Sequence, residues 1–295
     1  MSTLGSHAKS VSLHLYRQPV PKLTLPKLLC DDMLHKKLET FAITSLMNKS
    51  FACAVLGRAG SGKTSLVSAL LESKGLFNKV FDKILLFMPP NSRKSIQDSC
   101  FDTLPQNQVY DGLTLATLQS AFAIAENMSR DDKHTLIIFD DVQQYFKGEC
   151  EPLLVHMLNN RRHNRLSMFF VAQTYKKLPK MARMGLSDVF MFNLSKDDML
   201  SIFDELVEIS QNAFFKAVEF YKRMIKQTNK KMFLYLNTTS QRLFIDWDEL
   251  AVSEDFVEDA ENEVEESNST VDQKEEEEHP PSPPGSPKKK KRKTK

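Results

Sequence analysis

Five short apolar runs without polar alternation mark residues 51–56, 84–88, 136–139, 168–172 and 189–192. A strand covered on one face alternates apolar and polar side chains; an unbroken run suits a strand buried on both faces, as in a parallel sheet between helices. Helical periodicity fills the intervals at 63–71, 113–128 and 151–160. Alternating strands and helices predict an α/β fold, a central, mostly parallel sheet flanked by helices. Val109 and Tyr110 form one further short strand candidate. Beyond residue 195, stretches 198–206 and 213–225 read as helices. Stretches 232–236 and 242–247 read as strands joined through Asn237, Thr238, Thr239 and Ser240, making a C-terminal helical and hairpin appendage of the same domain.

The ends of the chain lack this pattern. Residues 1–30 are polar and broken by Pro19, Pro21 and Pro26, which predicts an extended arm. Asp31 or Asp32 is a candidate cap for a helix reaching residue 46. From Glu254 to Glu278 there are 13 acidic residues and one basic one, then a proline cluster, then seven basic residues among the last eight. Such a stretch cannot bury a core, so 253–295 is expected to be a disordered tail and 31–252 the folded domain. The net charge of +2 therefore conceals a body, residues 1–253, with 32 basic and 25 acidic side chains. That balance suits a polyanionic partner. Four widely spaced cysteines without a CxxC pair point to an intracellular, reducing setting. No run of 18 apolar residues and no secretory leader is visible, so no membrane anchor is expected.

Gly57, Arg58, Ala59, Gly60, Ser61, Gly62, Lys63 and Thr64 match G-x-x-x-x-G-K-[ST] in full. The glycines let the backbone turn its N–H groups onto phosphate oxygens. Lys63 brings charge to the β and γ phosphates, and Thr64 offers a hydroxyl to Mg²⁺. The helix that follows, from Lys63 through Ser65 onward, points the positive end of its dipole at the anion. Arg58 and Ala59 contribute backbone alone. The expected ligands are thus ATP and Mg²⁺.

Leu136, Ile137, Ile138 and Phe139 lead into Asp140 and Asp141, a Walker B pattern. A carboxylate at a strand end beside a phosphate loop is where Mg²⁺ needs one, which assigns Asp140 to the metal and Asp141 to the attacking water. The next apolar run ends at Gln173, a candidate γ-phosphate sensor of the additional-strand ATPases. Arg161, Arg162, His163, Asn164 and Arg165 precede that run. Arg162 is the first choice for an arginine that reaches a neighbouring subunit's nucleotide, against the plainer reading of a solvated basic turn. Lys176, Lys177, Lys180 and Arg183 follow the run, and either face DNA or are ordinary solvated charge.

The succession GRAGSGKT, LIIFDDV, NNRRHN directly before MFFVAQTY, then KLPKMAR resembles the poxvirus-type DNA packaging ATPases of the FtsK–HerA superfamily. The resemblance covers about residues 50–210. It implies a P-loop NTPase of the additional-strand type, an ATPase that forms a ring, a hexamer by likeness, and pumping of double-stranded DNA into a viral capsid or packaging vertex. It puts Lys63 and Thr64 on nucleotide, Asp140 and Asp141 on Mg²⁺ and water, Gln173 at the sensor and Arg162 at the family's arginine–histidine pair. Arg183 matches a basic position after the proline. Two alternatives stay open: a small nucleotide kinase, against which the paired aspartates and the Gln173 strand argue, and a DNA-stimulated ATPase of the same superfamily without a packaging role. A GTPase is disfavoured because Asn229, Lys230, Lys231 and Met232 lack the aspartate of N-K-x-D. Residues 287–293 resemble a nuclear import signal, with a DNA-holding basic arm as the other reading.

Overall fold

The computed structural model describes residues 9–16, 47, 50–74, 76–96 and 99–256. Ser10–Asp255 forms one compact unit. Among the described residues ten strands build a single sheet: β1 (Lys9–Tyr16), β2 (Ala52–Gly57), β3 (Lys83–Phe87), β4 (Val109–Tyr110), β5 (Thr135–Asp140), β6 (Leu166–Ala172), β7 (Asp188–Phe192), β8 (Leu234–Asn237), β9 (Arg242–Ile245) and β10 (Asp248–Phe256). Their order is β1-β10-β9-β8-β7-β2-β6-β5-β3-β4. The stretch β7-β2-β6-β5-β3-β4 is parallel throughout, and β8, β9 and β10 add antiparallel strands beyond β7. Strand β6 lies between the phosphate-loop strand β2 and the acidic strand β5, so the fold is the additional-strand P-loop type. The hairpin expected as an appendage is continuous with the main sheet, because Asp188 to Met191 pair with Leu234 to Asn237.

Both faces of the central strands are buried, which explains their lack of alternation. Ala52, Ala54 and Leu56 of β2 enter one apolar cluster with Phe87, Phe139 and Phe170. Cys53 and Val55 enter the other, with Ile138, Phe169 and Phe190. On the first face the rings of Phe87, Phe139 and Phe170 stack across β3, β5 and β6 at 5.1 and 5.2 Å between centroids. Such a ladder contributes beyond its area and keeps the three strands level at their carboxyl ends.

Among the described residues seven α-helices flank the sheet: α1 (Lys63–Glu72), α2 (Pro90–Lys94), α3 (Leu115–Arg130), α4 (Glu151–Asn160), α5 (Lys180–Met184), α6 (Lys196–Leu206) and α7 (Gln211–Thr228). Helix α1 packs Leu66, Val67, Leu70 and Leu71 into the second cluster. Helices α6 and α7 start where Ser195 and Ser210 accept backbone N–H bonds from Asp198 and Ala213. Strand β10 runs past the boundary expected at residue 252, and part of the expected N-terminal arm is the edge strand β1. The helix expected before residue 46 and the tail from 257 onward lie outside the described residues.

Candidate functional site

The carboxyl ends of β2, β5 and β6 open into a cavity of about 250 Å³. Strands of a parallel sheet end together, and the loops that leave them converge there. Ala59, Gly60, Gly62, Lys63, Thr64 and Ser65 line it from the loop, Asp140 and Asp141 from β5, and Gln173 from β6. Nearly all the residues singled out for nucleotide and metal thus meet at one place, although residues 64, 140 and 173 are far apart in sequence.

The loop's path depends on two glycines. A Cβ on Gly57 would sit 2.6 Å from Phe192 Cβ and 2.9 Å from the Phe192 carbonyl, so the loop leaves β2 pressed against β7. Gly62 has φ of +100° at the N-cap of α1, a conformation other residues avoid. Past Gly62 the first-turn N–H groups of α1 face the cavity without helical acceptors, as at any helix start. Ser61 Oγ and Ser65 Oγ are buried and unpartnered. Unsatisfied donors at a helix N-terminus are chemically suited to an anion. Lys63 Nζ donates to the Arg58 carbonyl at 2.9 Å. Burial lowers the lysine's pKa, while Asp140 and Asp141 oppose the shift.

Thr64 Oγ1 donates to Asp140 Oδ2 at 2.6 Å. Asp140 is only 4% exposed. Burial pushes its carboxyl up to about 6, against the Thr64 hydroxyl and the Lys63 charge. A hydroxyl and a carboxylate in contact are oxygen donors of the kind Mg²⁺ takes when substrate phosphates and waters complete its octahedron. Among the described residues no group of three or more His, Cys, Asp or Glu could hold a metal by itself. Asp141 follows with φ of +55° and is exposed to the cavity.

Two contacts here had no sequence signal. Ser92 Oγ, on α2, donates to Asp141 Oδ2 at 2.7 Å. The Gln173 backbone N–H donates to Gln143 Oε1 at 2.7 Å, tying the turn after β5 to the end of β6. Met88, Ser95 and Ile96 complete the wall on the α2 side.

Arg162 is elsewhere. It occupies the turn between α4 and β6 and is exposed. The seven residues of β6 separate that turn from the cavity, a rise of about 23 Å. It cannot reach its own chain's loop. Its neighbours are engaged: Arg161 Nε donates to the Ser50 carbonyl at 3.0 Å, and Arg165 pairs with Asp132 at 2.6 Å. Arg183 fits neither reading given to it. Its guanidinium pairs with Glu205 at 3.1 Å, lies 4.9 Å from the centre of the Tyr175 ring, and has 12% of its side chain exposed. Tyr175 OH donates to the same Glu205 at 2.9 Å. Arg183 is a packing and ion-pair residue, while Lys176, Lys177 and Lys180 remain exposed.

The sequence profile of the family described as "Poxvirus A32 protein" matches residues 38–271. The chain belongs to the poxvirus A32 protein family. Among its relatives, "DNA packaging protein OPG160" of vaccinia virus (strain Copenhagen) is 27% identical over 169 residues, covering 54% of this chain and 58% of the relative. The monkeypox virus protein of the same name is also 27% identical over 169 residues, covering 54% and 53%. The A32-family chain therefore matches only a little over half the length of these curated relatives. Of solved structures, the genome packaging NTPase B204 from Sulfolobus turreted icosahedral virus 2 in complex with AMP superposes with a TM-score of 0.51 at 19% identity. That match covers 68% of this chain and 98% of B204. At that identity the likeness establishes the fold. Among the described residues of the A32-family chain, no helix is long and apolar enough to cross a membrane. The nuclear expectation from residues 287–293 falls outside the described residues and has no support from these relatives.

Proposed function

We propose that this A32-family chain is an ATP-driven translocase of double-stranded DNA that loads a viral genome into its capsid. The observation that carries the reading is the Thr64–Asp140 contact inside the phosphate-loop cavity, with Asp141 and Gln173 at the neighbouring strand ends. The names of the relatives, DNA packaging proteins of poxviruses, and the nucleotide-bound B204 structure support it.

The cavity's groups divide the work. The first-turn N–H groups of α1, with Ser61 and Ser65 unpartnered beside them, receive the phosphate oxygens. Lys63 leaves the Arg58 carbonyl for the β and γ phosphates. Thr64 and Asp140 hold Mg²⁺, which when bound offsets the phosphate charge and polarises the γ-phosphoryl group. Asp141 orients the attacking water and accepts its proton at a carboxylate oxygen. Gln173 contacts the γ-phosphate edge from β6. Arg162, exposed at the far end of β6, serves the nucleotide of an adjacent subunit in a ring. We assign the ring six subunits by family likeness and place the protein's work in the cytoplasmic viral factory and the assembling virion.

DNA is held through its backbone, so that any sequence can pass, and the exposed Lys176, Lys177 and Lys180 are the candidates for phosphate contact. The test is ATP turnover with and without linear duplexes of unrelated sequence. Stimulation by every duplex, weakening as salt rises, is expected. Turnover by a monomer that ignores DNA would reject the motor and leave a stand-alone ATPase or kinase.

A further inference from the structure

We infer that Ser92 is the positioning residue for Asp141, holding one carboxylate oxygen so that the other faces the attacking water; this rests on the ATPase reading above. Asp141 leaves β5 in a left-handed conformation, φ +55°, and its side chain is exposed to the cavity. A short acidic side chain in that setting has several open rotamers, and few of them aim an oxygen at a fixed point. The backbone of this turn is already fixed: Gln143 accepts the Gln173 N–H, joining the turn to β6. What remains free is the carboxylate, and Ser92 Oγ takes its Oδ2 at 2.7 Å. A hydroxyl-to-carboxylate bond of this length is charge-assisted and directional. Oδ1 is then the oxygen left to accept the water's proton.

Ser92 is itself held. Its carbonyl accepts both the Ser95 hydroxyl at 2.6 Å and the Ser95 N–H at 3.2 Å. The next residue, Arg93, pairs with Asp111 at 3.4 Å. Helix α2 leaves β3, whose Phe87 pairs in register with Phe139 of β5, so the hydroxyl and the carboxylate hang from adjacent strands of one rigid sheet. Ser92 touches no phosphate-loop residue by hydrogen bond, and its effect falls on the chemical step rather than on nucleotide capture.

Ser92→Ala and Ser92→Thr, measured on the full chain with saturating duplex DNA, test this. The alanine variant is expected to lose about ten- to a hundredfold in kcat, the range for a misaimed catalytic group, with the KM for ATP within about twofold. Threonine, which keeps the hydroxyl, restores most of the rate. A wild-type or faster kcat in Ser92→Ala, a loss that threonine does not restore, or a loss that follows a fall in melting temperature would overturn the inference. Asp141→Asn separates the two layers. If it keeps full turnover, the ATPase assignment of Asp141 fails; if it binds ATP without turnover while Ser92→Ala is silent, only the role of Ser92 fails.

Discussion

Asp140→Asn should stabilise the protein while disabling its site, in a pH-dependent way. Burial raises the Asp140 carboxyl from its ordinary 3.8 to about 6. The folded chain therefore binds this proton more tightly than the unfolded chain does. Below about pH 4 the group is protonated in both states and folding loses nothing. Between about pH 4 and about 6 the unfolded chain gives up this proton while the folded chain keeps it, so stability falls, and it levels off above about 6, where the folded state also holds a carboxylate. At 1.36 kcal/mol per tenfold change in proton affinity, the loss is about 3 kcal/mol by pH 8. Asparagine keeps an oxygen for the Thr64 hydroxyl and carries no charge, so the variant escapes the loss. For a chain of this size that corresponds to a melting temperature higher by about 6–12 °C at pH 8, shrinking toward zero at pH 4. Asp188 and Asp246, also raised to about 6 by burial, titrate in both proteins and cancel in the difference. The assay is thermal unfolding of both proteins at pH 4 and pH 8 without metal or nucleotide, alongside Mg²⁺-dependent nucleotide binding. A variant no more stable than wild type at pH 8, or one that keeps Mg²⁺-dependent binding, would refute the reasoning.

Two further outcomes follow from the same geometry. Gly57→Ala places a methyl 2.6 Å from Phe192 Cβ; the loop must shift, with about 1–3 kcal/mol lost in denaturant unfolding and nucleotide affinity reduced at least about tenfold in a direct titration. Arg162→Ala and Lys63→Ala should each be inactive alone, yet mixed subunits should regain turnover in an ATPase assay, because one contributes an intact loop and the other an intact arginine; mixtures that stay inactive would remove Arg162 from the site.

The parts of the fold that were legible owe this to burial on two faces. Strands β2, β5, β6 and β7 have no solvent side, so Ala52 to Leu56 or Met168 to Ala172 can be uniformly apolar, and that uniformity shows in a linear string. The phosphate loop was legible because its chemistry tolerates little variation between Gly57 and Thr64. What pairing adds was not legible. Nothing local in Leu234 to Ile245 says that these strands continue the main sheet beyond β7. Ser92 lies in a five-residue helix begun by Pro90, too short for periodicity, and its partner Asp141 comes 49 residues later. Arg183 shows the converse. Its basic neighbours suggested an exposed cluster, but packing against Tyr175 and pairing with Glu205 take it out of solvent, a choice made by α6 and invisible in the segment itself.

Titration calorimetry of a non-hydrolysable ATP analogue into the wild-type chain and Lys63→Ala bears most directly on whether a triphosphate occupies the cavity between α1 and Asp140. One saturable, Mg²⁺-dependent site is expected in the wild type, weakened about a hundredfold or more in the variant, a difference of about 2.7 kcal/mol. No uptake by the wild type, or equal uptake by both, would contradict the account.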